Sequence, residues 1–203
     1  ISREELISAE GRTVLVIGGG DTGADCVGTA NRQAAKKIHQ FEILPQPALW
    51  DESWNPEWPY WPKILRTSSS HEEGCVREWS VITKRFEGKA GKLNKVHCAR
   101  VEWKETDGRM LMQEIPGSEF TLAVDLVLLA MGFTGIVQGK LVKDLNLALT
   151  PAGTLSIDQN SMTSVAGVFA AGDAVLGPSL VVRCIAQGRE AALGIHSYLI
   201  QNQ

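Results

Sequence analysis

Cysteine is scarce: Cys26, Cys75, Cys98 and Cys184 are the four among 203 residues, and no two form a C-x-x-C pair. That spacing excludes a disulfide framework and a cysteine cage for zinc or an iron–sulfur cluster. The four read as ordinary thiols in a reducing, cytoplasmic compartment. A dominant charge is lacking too, with 20 Lys plus Arg against 23 Asp plus Glu and a net charge of −3. No general electrostatic footprint for nucleic acid or an anionic membrane results, so any anion site must be local. Long apolar runs are missing. The most apolar segment, Leu122 to Phe133, is interrupted by Asp125 and falls short of the roughly 20 residues a membrane helix needs. His39, His71, His97 and His196 are scattered without ligand spacing and read as solvated or core residues, with no metal site. The first ten residues, ISREELISAE, begin with Ile rather than Met and carry no apolar signal-peptide core, which reads as a piece of something longer.

Glycine, in contrast, is plentiful at 20 residues, although it loses more backbone entropy on folding than any other residue. Its positions should therefore matter. Thr13 to Ile17 (TVLVI) is a continuous β-branched and aliphatic run, as expected of a strand buried on both faces of a parallel sheet. Ala24, Val27, Ala30 and Ala34 then recur at helical spacing, predicting a helix over 21–37 closed by Lys36 and Lys37. Gln40 to Leu44 (QFEIL) reads as the second strand, stopped by Pro45 and Pro47.

The next stretch, LPQPALWDESWNPEWPYWPK, holds four of the six Trp and five of the eight Pro. It is too proline-rich for a helix or central strand and reads as a long ordered excursion. Its indoles form either a small satellite core or an aromatic wall beside a ligand. From Ser80 to Val124 four short alternating runs, separated by EGKAGK, Thr106-Asp107-Gly108 and Pro116-Gly117, predict an antiparallel meander. Asp125 to Gly132 (DLVLLAMG) returns to a buried parallel strand; a further apolar run, Gly167 to Ala171, ends at Gly172-Asp173, and a long helix spans 179–200. The fold class is α/β, a Rossmann-like parallel sheet with an antiparallel β-meander.

Gly18-Gly19-Gly20-Asp21-Thr22-Gly23 matches G-x-G-x-x-G between the first strand and the first helix. The first glycine permits a tight turn, the second leaves room for a pyrophosphate, and the third lets helix and strand approach. The helix N-terminus then offers free N–H groups and a positive dipole to the phosphates. An acidic residue is expected about 20 positions on, at the end of the second strand, to accept ribose hydroxyls. That place reads Ile43-Leu44-Pro45-Gln46, with Glu42 inside the predicted strand, and no Arg pair for a 2′-phosphate stands there. Lys63, Arg66, Lys84 and Arg85 are the candidates to reach the ribose from elsewhere, and each reads as a surface charge. Spacing alone leaves NADH and NADPH undecided. Cys26, one turn into the helix, reads as a packed core residue rather than a dipole-activated thiol, and His71-Glu72-Glu73 as the start of a helix.

A second series is Leu129-Ala130-Met131-Gly132, then Gly167 to Asp173, then Gly177-Pro178-Ser179 opening a helix. An aspartate at a strand end can accept a sugar or ribityl hydroxyl, or simply cap a turn, and a helix N-terminus can stabilise negative charge on a bound ring. Taken together, VLVIGGGDTGADCV, FEILPQP, NPEWPYWPKILR, VITKRF, DLVLLAMGF and GVFAAGDAVLGPSLVVRCIAQGREAA resemble the two-dinucleotide flavoproteins of the disulfide-reductase type. Within them the chain resembles the glutamate synthase small-subunit family, which includes the equivalent C-terminal region of single-chain glutamate synthases, and its NADH-linked branch in particular.

The resemblance covers essentially the whole chain and implies a connector over 1–11, an NAD(P)H-binding domain over 12–130, and an incomplete C-terminal segment of an FAD-binding domain over 131–203. It implies that Gly18, Gly19, Gly20, Asp21, Thr22 and Gly23 hold the NAD(P)H pyrophosphate. It also implies an FAD contact set of Ala130, Gly132, Gly172, Asp173, Ser179 and Leu180, with Asp173 at the ribityl chain and the helix from Ser179 and Leu180 aimed at the ring. No side chain acts as an acid or base, because positioning two cofactors is the catalysis. Hydride would pass from NAD(P)H to FAD, and electrons onward through iron–sulfur clusters outside this segment to the glutamate synthase large subunit or domain, which forms glutamate from glutamine and 2-oxoglutarate. The family's first FAD glycine motif and its cysteine-rich segment lie N-terminal to the matched region, so the remaining FAD and iron–sulfur portion is an expected partner and little FAD should be retained by this segment. Alternatives are a related flavin and iron–sulfur module, of dihydropyrimidine dehydrogenase or ferredoxin:NADP oxidoreductase type, or a nucleotide-binding docking domain without redox chemistry.

Overall fold

The computed structural model describes residues 6–49 and 64–202. The chain divides into two compact units, Ile1–Met131 and Gly132–Gln203.

The first unit is built on a four-stranded parallel sheet. Strand β1 (Thr13–Ile17) lies between β2 (Lys37–Phe41) and β8 (Leu126–Leu129), and β3 (Val76–Glu78) flanks β2, giving the order β3-β2-β1-β8. Val14 and Val16 pack on one face with Val27, Ala30 and Ile38, while Leu15 packs on the other with Phe41, Val81, Val96 and Val124. Burial on both faces explains why TVLVI shows no polar alternation. The first face is covered by helix α1 (Asp21–Arg32) and the one-turn helix α2 (Ser69–Glu72).

The second face carries the meander. Strand β4 (Val81–Lys89) pairs antiparallel with the long β5 (Lys92–Thr106), which on its other side pairs with β7 (Phe120–Ala123) and β6 (Arg109–Glu114). Both tight hairpins are two-residue turns with positive φ at each central residue, Ala90-Gly91 and Asp107-Gly108, the geometry that matches strand twist.

Two expected boundaries move. The helix predicted over 21–37 ends at Arg32, because Ala34 adopts φ +59° and the chain turns back; the N–H groups of Lys36 and Lys37 then donate to the Arg12 carbonyl. Lys37 opens β2 instead of closing α1. The second strand therefore runs over 37–41 rather than 40–44, and Glu42 follows it.

Most of the Pro/Trp segment lies outside the described residues, with all four of its indoles. Its two limbs meet: Ala48 and Ile64 form a parallel bridge, and the Leu65 N–H donates to the Ala48 carbonyl at 2.7 Å.

In the second unit, α3 (Lys140–Asp144) and α4 (Asp173–Leu176) are short, and α5 (Val181–Gln201) is long. The apolar run 167–171 forms no strand, making only a bridge between Phe169 and Met162. Among the described residues of this unit Leu147, Leu155 and Ala191 are the buried apolar side chains, whereas Val181, Val182, Ile185, Leu193, Leu199 and Ile200 along α5 are exposed. No helix of the described residues is long and apolar enough to cross a membrane.

Candidate nucleotide-binding site

The glycines of the turn differ in what the fold requires of them. Gly18 has φ +123°, a region L side chains avoid, and a Cβ there would come within 2.7 Å of the Ala130 carbonyl carbon. At Gly23 a Cβ would stand 2.7 Å from Gln40 Nε2 and still closer to the Gly18 carbonyl oxygen, so α1 could not lie this near to β1. Gly20 differs: a Cβ would meet nothing within 4 Å. It is the position where the fold tolerates a side chain and an approaching ligand would not.

Gly20 is also the N-cap of α1 and makes no side-chain cap bond. The first N–H to find a helical acceptor is that of Ala24, which donates to the Gly20 carbonyl at 3.0 Å. The N–H groups of Asp21, Thr22 and Gly23 thus belong to the helix's unpaired first turn, facing a dipole that favours anions. Gly18, Gly19 and Gly20 line a cleft of about 350 Å³ together with Glu42, Thr83 and Ala130. A larger hollow of about 730 Å³, lined in part by Ile7, Arg12, Phe86 and Asp125, includes no residue of the turn.

Glu42 is the residue that sequence reasoning misplaced. Because β2 ends at Phe41, Glu42 stands just past the strand, where an acidic ribose acceptor is expected. Its Oε2 accepts the Gly19 N–H at 2.6 Å and its Oε1 the Leu44 N–H at 3.1 Å. The strand lies three residues earlier than the run QFEIL predicts, which is what frees Glu42 from it. Gln40 and His71 were also missed: Gln40 donates to the Gly18 carbonyl at 2.9 Å and contacts His71 at 2.9 Å.

Two of the basic residues considered for the ribose are engaged in ion pairs. Lys84 pairs with Glu114, and Arg85 with Glu87. Lys63 lies outside the described residues. Burial, reinforced by Asp25, pushes the Cys26 thiol up, so the helix dipole does not activate it. All four cysteines are free, and no group of three or more metal-ligating side chains occurs among the described residues.

The second unit presents a separate cleft of about 480 Å³, whose polar lining includes Thr154 and Asp173. Asp173 opens α4 instead of ending a strand, and its Oδ1 accepts from the Ser179 N–H and from the Cys184 thiol, each at 3.1 Å. That contact pushes the Cys184 thiol up. The long helix begins at Val181 with Leu180 as its N-cap, so Ser179 precedes it. Gly172 has φ +71° and donates its N–H to Gln187 Oε1 at 2.6 Å, a partner unforeseen in the sequence; Gly132 has φ +94° with open space around it.

Residues 2–188 match the profile of a family described as pyridine nucleotide-disulphide oxidoreductase. The chain is 44% identical over 194 residues to a glutamate synthase [NADPH] small chain of Mycobacterium tuberculosis, a match covering 96% of this chain and 39% of the relative. It is 40% identical over 195 residues to a glutamate synthase [NADH] of Schizosaccharomyces pombe, covering 92% of this chain and 9% of that one. The chain thus spans well under half the length of either relative. Among solved structures, FprA of Mycobacterium tuberculosis in complex with NADPH superposes with a TM-score of 0.66 at 12% identity, over 96% of this chain and 54% of that one, a likeness of fold.

Proposed function

The chain belongs to the pyridine nucleotide-disulphide oxidoreductase family, and from that premise we propose that it is the nicotinamide-nucleotide-binding, electron-input part of a glutamate synthase. The observation that carries the reading is the glycine turn, in which Gly18 and Gly23 are sterically forced while Gly20 is left open to the cleft. A cradle that a Cβ at Gly20 would fill fits a pyrophosphate. Gly18, Gly19 and Gly20 with the N–H groups of Asp21, Thr22 and Gly23 would hold it, and Glu42 would accept the adenosine ribose hydroxyls. A carboxylate there repels a 2′-phosphate, which supports NADH over NADPH.

Bound NAD(P)H supplies a hydride, and the contribution of this chain is to bind and orient. In the second unit Asp173, the open backbone at Gly132 and Gly172, and the N-terminus of α5 support a reading as the C-terminal part of an FAD-binding domain. Its exposed α5 side chains are suited to burial against the rest of such a domain. The glutamate synthase relatives support glutamate formation as the outcome of this input; onward transfer through iron–sulfur clusters to a large subunit or domain is the part of the proposal carried by the sequence resemblance alone. The unpaired thiols accord with a reducing, cytoplasmic setting.

Titrating NADH and NADPH against tryptophan fluorescence tests the reading. Saturable quenching by NADH is expected. No response to either nucleotide would refute it, and NADPH binding tenfold tighter than NADH would refute the assignment of Glu42.

A further inference from the structure

Three consecutive glycines have no intrinsic stiffness, so a glycine turn that presents N–H groups in fixed directions must be held from outside. Gln40 supplies one hold. It is 2% exposed, on the face of the sheet that α1 covers, and both ends of its amide are engaged. Nε2 donates to the Gly18 carbonyl at 2.9 Å, and Oε1 lies 2.9 Å from His71 Nε2. On the other side of its ring, His71 Nδ1 accepts the Ser68 N–H at 3.2 Å and lies 3.0 Å from the Ser68 hydroxyl. A backbone N–H can only donate, so Nδ1 carries no proton and Nε2 does. The chain of bonds therefore has one direction, from Ser68 to His71 to Gln40 to the Gly18 carbonyl. The same peptide is held at its other end, where the Gly19 N–H donates to Glu42 at 2.6 Å.

We propose that His71, acting through Gln40, is a positioning residue for the nucleotide diphosphate, fixing the tilt of the Gly18–Gly19 peptide and with it the aim of the N–H groups at the start of α1. The proposal rests on the nicotinamide-nucleotide reading above. Without the His71 donor, Gln40 Oε1 is a buried acceptor left empty, and its amide gains by turning away from Gly18. The turn would then sample orientations that present fewer N–H groups to a phosphate.

The two ring nitrogens can be tested separately in the full chain. His71→Asn retains an acceptor for the Ser68 N–H but is too short to reach Gln40, whereas His71→Gln retains the donor to Gln40. Dissociation constants for NADH, ADP and adenosine are measured by tryptophan fluorescence. H71N is expected to weaken NADH and ADP by about tenfold, the equivalent of one lost hydrogen bond. It should leave adenosine within about twofold, and H71Q should bind all three nearly as the parent does. H71N binding ADP as tightly as the parent, adenosine weakened by the same factor as ADP, or H71Q weakened as much as H71N would each overturn the proposal. Should H71N not fold, a tenfold loss of ADP binding in H71Q, despite its retained donor, overturns it alone. A parent protein that binds neither NADH nor ADP overturns the nucleotide reading itself, which is a different result from a parent that binds and variants that do not differ.

Discussion

Gly20 and Gly23 stand three residues apart in one turn, yet an added methyl group should destabilise the fold only at Gly23 and act on binding alone only at Gly20. At Gly23 the new Cβ would sit 2.7 Å from Gln40 Nε2 and closer to the Gly18 carbonyl oxygen. Ordinary contact requires about 3.4 Å or more, so the start of α1 must move from β1 by roughly 1 Å. Overpacking of this kind costs about 1–3 kcal/mol, and losing the Gln40 bond to Gly18 adds about 1 kcal/mol. The gain in helix propensity from Gly to Ala, up to about 1 kcal/mol, offsets part of this. A net loss of about 2 kcal/mol should lower the melting temperature by roughly 4–8 °C for a chain of this size. At Gly20 the backbone, with φ −80° and ψ −172°, already suits alanine, and no atom lies within 4 Å of the new methyl. Exchanging an N-cap glycine for alanine costs only about 0.5 kcal/mol. The same methyl projects into the space proposed for the phosphates, where losing one charge-assisted hydrogen bond of about 1.5–3 kcal/mol should weaken NADH about ten- to a hundredfold. Differential scanning fluorimetry and a tryptophan-quenching titration on both variants separate the two effects. If Gly20→Ala binds NADH as the parent does, or melts as low as Gly23→Ala, the assignment of the turn is wrong.

Glu42→Gln should narrow the preference for NADH over NADPH about tenfold, because the repulsion of a 2′-phosphate is removed while the Gly19 N–H keeps an acceptor; the ratio of the two dissociation constants checks it. Burial holds His39 and His71 below the ordinary imidazole value, with Lys37 adding to the effect at His39 and Arg77 at His71. Between their lowered values and about 6.5 the unfolded chain binds more protons than the folded one, so the urea midpoint should fall as pH drops from 7.5 to 5. A flat profile over that window would contradict their burial as neutral rings. Glu87, lowered to about 2 by hydrogen bonds from Lys95 and His97, should add a further loss only below the usual carboxylate range. Gly108→Ala, at φ +72° in a hairpin turn distant in sequence from the cleft residues, should cost about 1 kcal/mol in stability and leave NADH binding unchanged; a change in affinity would show that the meander is coupled to the cleft.

Much of this protein is legible along the chain because its signals are local. TVLVI followed by three glycines and then a small-residue helical face specifies strand, turn and helix through backbone sterics and hydrophobic period alone, and β1 runs over the residues so expected. The hairpins at Ala90-Gly91 and Asp107-Gly108 are equally local, since turn geometry follows from which residues tolerate positive φ. The end of α1 was not legible, because Ala34 at φ +59° carries no sequence mark; the Arg12 carbonyl that receives the Lys36 and Lys37 N–H groups lies far back in the sequence, just before β1. That displacement alone hid Glu42, whose value depends on standing one residue beyond a strand rather than within it. Gln40 and His71 were hidden for a deeper reason. They lie 31 positions apart, and nothing in a polar residue's identity states that an amide will be buried between an imidazole and a glycine carbonyl. The sequence by itself determined that a tight glycine turn opening a helix follows the first strand. Only the tertiary structure decided what holds that turn still, because those bonds are made across strands and helices whose proximity exists only once the sheet has formed.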